Sequence, residues 1–307
     1  MLAFIVRRIV WFIPTILAAI TITYLLMQLV PGGPFDLDEG GTMLPASVKA
    51  QLEARYNLDK PATTQYLTFL RNLAVGDMGV SFMSRDEVTT LIGRSLPVSA
   101  RLGGVAILFA ILVGVPLGAL AGIYRNSWVD HVCSTVSILG YVLPSFVLGI
   151  FLILLLSLQL HLLPVSGWGS WKHYVMPAIA LGASAAAVLA RYTRSSMAEV
   201  LQRDFIRVAR AKGLGALQIN MKHALRNGLI PILTVLGMAI PSLLVGSFLI
   251  ETMFSVPGTG RFFVDAISGR DYPVVMGIAL LYSCLVVVAN LITDLMYALV
   301  DPRVRLS

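Results

Sequence analysis

Arg203, Arg207 and Arg210 recur at i, i+4 and i+7, so on a helix they share one face within about 60°. Leu201, Phe205 and Val208 fall on the opposite face, and Gly213 stands where a helix-ending glycine belongs. Residues of these types make and break no covalent bonds; their chemistry is recognition. One reading is an interfacial helix on anionic lipid, where each Lys or Arg adds about 1 kcal/mol. The other is a helix seated in a groove of a partner protein. Length favours the partner. A link between neighbouring spans needs few residues, whereas segment 199–231 predicts two helices, about 200–213 and 216–225, joined by a glycine turn. His223 and Arg226 close the second helix, where the helix dipole favours positive charge.

Covalent chemistry finds little to work with. The chain has no Gly-x-x-x-x-Gly-Lys-Ser/Thr phosphate loop, no HExxH and no nucleophile elbow. His131, His161, His173 and His223 are scattered, and Cys133 and Cys284 fall in apolar runs with no metal-ligand spacing. The reading is a protein that is not an enzyme, with no metal and no cofactor of its own.

The elements that must position the basic helix are almost all apolar. The chain of 307 residues is 57% hydrophobic and 13% charged, with a mean hydropathy of +0.82. So little charge would hardly keep a soluble domain in solution. Six runs approach the ~20 residues needed to span a bilayer: about 9–30, 100–123, 132–160, 174–191, 229–250 and 274–300. The first, preceded by Arg7 and Arg8, exceeds the ~7–15 residues of a signal-peptide core, so a retained helix is expected. The predicted fold class is an all-α integral membrane protein of six transmembrane helices, with both termini cytoplasmic. That orientation puts 13 of the 23 Lys and Arg on inner segments, eight of them between Arg191 and Arg226. The net charge of +7 is then a topology signal and a lipid contact, and no nucleic acid is expected as a partner.

Segment 31–98 falls outside the membrane in this topology. It predicts one helix over 45–58 and another opened by Pro61, and it is too small and polar for a core of its own. Trp168 and Trp171 suit an interfacial belt, and Val256-Pro257-Gly258 makes a turn before a short helix at Phe262. The expected organisation is an N-terminal span over 1–30, an extracytoplasmic segment over 31–98, and a core over 99–307 carrying the cytoplasmic loop 192–228. Asp294, near the inner end of the last run, is the acid expected inside a span. The small residues of the fourth run permit close helix approach. Pro241, Ser242, Gly246 and Ser247 suit a roomy, uncharged path through the bilayer.

The stretches DFIRVARAKGL and HALRNGLIPILT strongly resemble the cytoplasmic loop of inner-membrane permease subunits of bacterial ABC importers. Within these the chain is most similar to the peptide/nickel group, and there to the first permease subunit of oligopeptide transporters. FIVRRIVWFIPTILAAITITYLLMQLVPGGPFD at the start, LDKPATTQYLTFLRNLAVGDMGVSF outside, the ETMF…PGTGRFF…RDYP run and the closing DPRVR carry the resemblance along the whole chain. The general importer loop has Glu-Ala-Ala, three residues, then Gly. Counted back from Gly213, those positions are Arg207, Val208 and Ala209, so no role for the acid carries over.

The resemblance implies a type I importer permease fold and half of a path for oligopeptides. It implies a second, homologous permease, two cytoplasmic ATPases that bind ATP and Mg, and an extracytoplasmic substrate-binding protein, all at the bacterial inner membrane. It implies that Arg203, Asp204, Phe205, Ile206, Arg207, Val208, Ala209, Arg210, Ala211, Lys212, Gly213 and Leu214 couple to the ATPase. Phe205, Val208 and Ala209 would be the seat, and the arginines the polar contacts. A dipeptide, glutathione or a nickel chelate would suit the same group. A secondary proton-coupled carrier would need two similar halves or a buried acid–base chain.

Overall fold

The computed structural model describes residues 2–36, 45–228, 243 and 248–300, with side chains described within the limits 10 and 291. Among these residues the fold is helical, and the sole β feature is an isolated bridge between Val80 and Glu87. The helices are α1 (Leu2–Leu29), α2 (Ala46–Arg55), α3 (Ala62–Ala74), α4 (Val88–Ile123), α5 (Trp128–Val142), α6 (Ser145–Leu152), α7 (Lys172–Val200), α8 (Asp204–Ala211), α9 (Ala216–Gln218), α10 (Phe248–Met253), α11 (Thr259–Ser268) and α12 (Tyr272–Val300). Two wider, π-helical turns continue α6 over Ile153–Gln159 and α9 over Ile219–Leu225.

Among the described residues, four helices are long and apolar enough to cross a membrane: Val10–Leu29, Val88–Ile123, Lys172–Val200 and Tyr272–Leu291. The third expected run, 132–160, is not one straight helix. It breaks into Trp128–Val142 and Ser145–Gln159, bent by 108°, and makes a fifth crossing if the pair is one span. Pro144 explains the break. It offers no N–H, and it drives Leu143 into the extended region at ψ 122°. The fifth expected run, 229–250, lies mostly outside the described residues.

The chain forms two compact units. The first comprises 1–97 and 258–285. Ile20 and Tyr24 of α1 pack with Met276 and Leu280 of α12, and Tyr66, Phe69 and Leu73 of α3 close over them. Val88 and Leu91, at the start of α4, pack with Ala266, Val274, Val275 and Ile278. Polar clamps hold the segment between α1 and α4 to this core. Asp271, 2% exposed, accepts from the Ser81 hydroxyl and from the backbone N–H groups of Phe82 (3.1 Å) and Met83 (3.3 Å). Arg270 donates to the carbonyls of Gly33 (3.1 Å) and Pro31 (2.8 Å). Phe35, Tyr56, Phe82 and Tyr272 form an aromatic chain with centroids 4.7–6.2 Å apart. The helices α2 and α3 bury no residue fully by themselves. They are fastened through the RDYP residues 270–273.

The second unit comprises 98–257 and 286–307. The expected boundary at 98/99 falls inside α4, which runs unbroken from one unit into the other. Gly114, Gly118 and Gly122, spaced by four, let α4 lie directly against the backbone of α7 at Ala186, Ala190 and Arg194. A Cβ at any of them would collide with α7. Leu102, Ala106, Met176, Leu181, Ile250 and Phe254 form the main core. Glu251, fully buried, accepts a 2.7 Å hydrogen bond from the Ser99 hydroxyl.

Candidate functional site

The basic segment forms two helices, shorter than expected and turned differently. The predicted 200–213 helix is in fact the end of α7, a break at 201–203, and α8. Arg203 is extended (φ −71°, ψ 151°), and Asp204 opens α8, where an acid complements the helix dipole. At the other end Gly213 has φ +77°, a conformation open to glycine at little cost. The Leu214 N–H bonds back to the Ala209 carbonyl (3.3 Å), the Gly213 N–H bonds to that of Arg210 (2.9 Å), and Leu214 packs on the apolar cluster beneath. That combination is a Schellman ending.

The face that anchors α8 is Ile206 and Ala209, 0% and 6% exposed. They pack with Met197 and Val200 of α7 and with Ile219 and Ala224 beyond α9. Ser196 ties the end of the segment by donating to the Gly228 carbonyl (3.0 Å). Ala209 therefore faces inward and is not part of an outward seat. Phe205 and Val208, 40% and 53% exposed, point away from that cluster, as do Leu217 (78%) and Met221 (55%).

The arginines line a third side. Arg203 pairs with Glu199 (2.7 Å) and Arg207 with Asp204 (3.4 Å), both on the surface. Arg210 forms no ion pair among the described residues. Asp204, Ala211 and Lys212 are exposed, and Leu214 is half-buried. Every candidate coupling residue from Arg203 to Leu214 is thus brought into one short helix and its two ends, closed at the C-terminal end by the Schellman turn. The candidate path residues Pro241, Ser242, Gly246 and Ser247 lie outside the described residues, as does the side chain of Asp294.

Two polar features escaped the sequence reading. Asp130, 2% exposed, receives both the Nε (2.6 Å) and Nη2 (2.7 Å) of Arg194, and also the Asn126 N–H (2.9 Å) and the Ser134 hydroxyl (3.1 Å). This bidentate pair bolts α5 to the C-terminal part of α7, three residues before Met197, the first α7 residue packed in the cluster that anchors α8. The signal was present: Ser127-x-x-Asp130 is a capping-box pattern, and Ser127 does cap α5. Glu251 is the second. It sits at the edge of an apolar run and reads as part of a loop. No group of three or more His, Cys, Asp or Glu placed to hold a metal exists among the described residues.

Comparison with known proteins gives concordant results. Residues 114–306 match the family described as binding-protein-dependent transport system inner membrane component, and residues 1–103 match its N-terminal counterpart. The chain is 43% identical over 293 residues to the dipeptide transport system permease protein DppB of Bacillus subtilis, covering 95% of this chain and 94% of that one. It is 41% identical over 308 residues to the oligopeptide transport system permease protein OppB of Escherichia coli, covering 99% and 100%. The inward-facing MetNI methionine ABC transporter shares the fold at a TM-score of 0.56 and 18% identity, over 71% of this chain and 98% of that one.

Proposed function

Since the chain belongs to the family of binding-protein-dependent transport system inner membrane components, we propose that it is one permease subunit of an ATP-driven oligopeptide importer. It is a membrane component and not an ATPase, and its type I permease fold provides half of a translocation path. Two cytoplasmic ATPases, carrying ATP and Mg, a second homologous permease and an extracytoplasmic binding protein complete the machine. Both termini and the 199–231 loop lie in the cytoplasm. The path passes Pro241, Ser242, Gly246 and Ser247.

One observation carries this reading. On α8 the inward face is locked to α7, while a separate apolar pair, Phe205 and Val208, is left in the open. Exposed apolar side chains on a loop in water suit a partner that covers them. Phe205 and Val208 enter a cleft of the ATPase, and Arg207 and Arg210 meet its polar rim. When the ATPases close, the push on α8 passes through Ile206 and Ala209 into Met197 and Val200, and so into α7.

Affinity purification of this chain from its native membrane in mild detergent tests the assembly. Co-purification of two ATPases, a second permease and a peptide-binding protein is expected. Recovery of the chain alone, still moving peptide without ATP after reconstitution, would overturn the proposal. Within the assembled complex, Phe205→Asp should leave the fold intact and abolish peptide uptake. Unchanged uptake would remove α8 from the coupling role. Competition of labelled pentapeptide by dipeptide and by longer peptides reads the substrate length; preference for dipeptides alone would replace oligopeptide by dipeptide.

A further inference from the structure

A cavity of about 380 Å³ opens in the second unit where α4, α5 and α7 meet, and nothing in the coupling role uses it. Its walls are mostly apolar, with Leu117 and Ala121 of α4, Ile138 of α5, and Ala187 and Ala190 of α7. Arg191 and Tyr141 stand on its lining, the guanidinium carbon 4.9 Å from the ring centroid. That cation–π contact holds the guanidinium beside the ring at the cavity lining. Arg194, one turn on, is engaged by Asp130. Arg191 forms no ion pair among the described residues.

Depth supports a specific ligand. Arg191 is the first charged residue after the apolar stretch 174–190, so it stands where hydrocarbon gives way to headgroups. The neighbouring face of α5 is greasy and open, with Val132 53%, Val136 49% and Leu139 53% exposed. A guanidinium at the headgroup level above an apolar slot matches a ligand with a phosphate and a hydrocarbon tail. We propose that this cavity holds one anionic phospholipid, its phosphodiester bound by Arg191 and part of an acyl chain lying against Leu117, Ile138 and Ala187. The leaflet rests on the proposed orientation, in which the end of α7 is cytoplasmic. Anionic lipid there adds attraction to a basic residue.

Native mass spectrometry of the assembled transporter, released from nanodiscs of phosphatidylcholine doped with phosphatidylglycerol, tests the site. Wild type should retain phosphatidylglycerol. Arg191→Gln should lower retention roughly fivefold, the worth of one basic residue at an anionic surface. Ser137→Trp, which fills the cavity without touching the charge, should lower it as well. Arg125→Gln, an exposed arginine away from the cavity, serves as the control for bulk charge and should retain lipid. Glycerophosphoglycerol, the headgroup without chains, should not displace the lipid. Equal retention in all variants, an equal loss in Arg125→Gln, displacement by the chainless headgroup or by inorganic phosphate, or a peptide or protein helix in the cavity would each overturn the proposal. Orientation is read separately, by impermeant labelling of Arg226→Cys in intact cells. Labelling there would refute the cytoplasmic loop and leave the retention result standing by itself.

Discussion

Asp130 illustrates how one buried residue can decide helix placement. Its carboxylate is buried and bidentate to Arg194, whose own side chain is 34% exposed. Breaking a buried pair costs about 3–5 kcal/mol, and the partial exposure of Arg194 puts this one at the low end. Asp130→Ala should therefore lower the Tm of the purified protein markedly. A double change with Arg194→Gln should recover part of the loss, and a Tm unchanged from wild type would deny the clamp its weight. Asp36, beyond the end of the spanning helix α1, gives a pH-dependent counterpart. Lys49 donates to it at 2.5 Å, Gly33 adds a backbone N–H, and together they hold its carboxyl below the usual carboxylate range. A carboxyl with a folded pKa below its unfolded value stabilises fully above the unfolded pKa, about 3.9, and loses that contribution as pH falls through the folded one. Acidification below about pH 4 should speed hydrogen exchange over 31–36, and Asp36→Asn should flatten that response. Neither partner was legible in the sequence, because both pairs join residues that only packing brings together.

At the scale of elements, α4 and α7 show how small residues set the distance between helices. Gly118 abuts the Ala190 carbonyl, so an added Cβ meets backbone, which cannot swing aside. Gly118→Ala should destabilise by about 1–3 kcal/mol, as overpacking does. Gly104, on the same helix with nothing within 4 Å of its Cβ position, should accept Ala with no loss and gain up to about 1 kcal/mol of helix propensity. Thermal unfolding of the two variants side by side checks the contrast; equal behaviour would remove the glycine seam. On α8 the neighbouring faces should also separate. Ile206→Ala empties a fully buried site and should cost about 2–5 kcal/mol of stability. Val208→Asp should keep Tm and lose ATPase stimulation by substrate. The existence of α8 was legible from its arginine spacing and Gly213. Which apolar residues face inward was not, because Phe205, Ile206, Val208 and Ala209 form a stripe wide enough to serve two surfaces.

For the whole molecule, the division into two units is the feature furthest from chain order. Residues 258–285 fold with 1–97, held by Asp271 on Ser81, Phe82 and Met83 and by Arg270 on Pro31 and Gly33. Asp271→Ala leaves those two backbone N–H groups without their acceptor, at about 1–3 kcal/mol each where burial is complete. The segment between α1 and α4 should then become protease-sensitive while the α8 anchors persist. Protection equal to wild type would mean that the apolar contacts alone hold the segment.

The helical membrane architecture, the two-helix loop and the family motifs were all written in local patterns: apolar length, arginine spacing, and proline and glycine punctuation. These act through hydrogen bonds and transfer free energies that each segment carries by itself. The 108° break in 128–159, the Gly114–Gly118–Gly122 seam, the inward turn of Ile206, and the burial of Asp130, Glu251 and Asp271 were decided only by tertiary structure. Each depends on what a residue distant in sequence supplies, a carbonyl, a guanidinium or an apolar wall, and no local period encodes that partner.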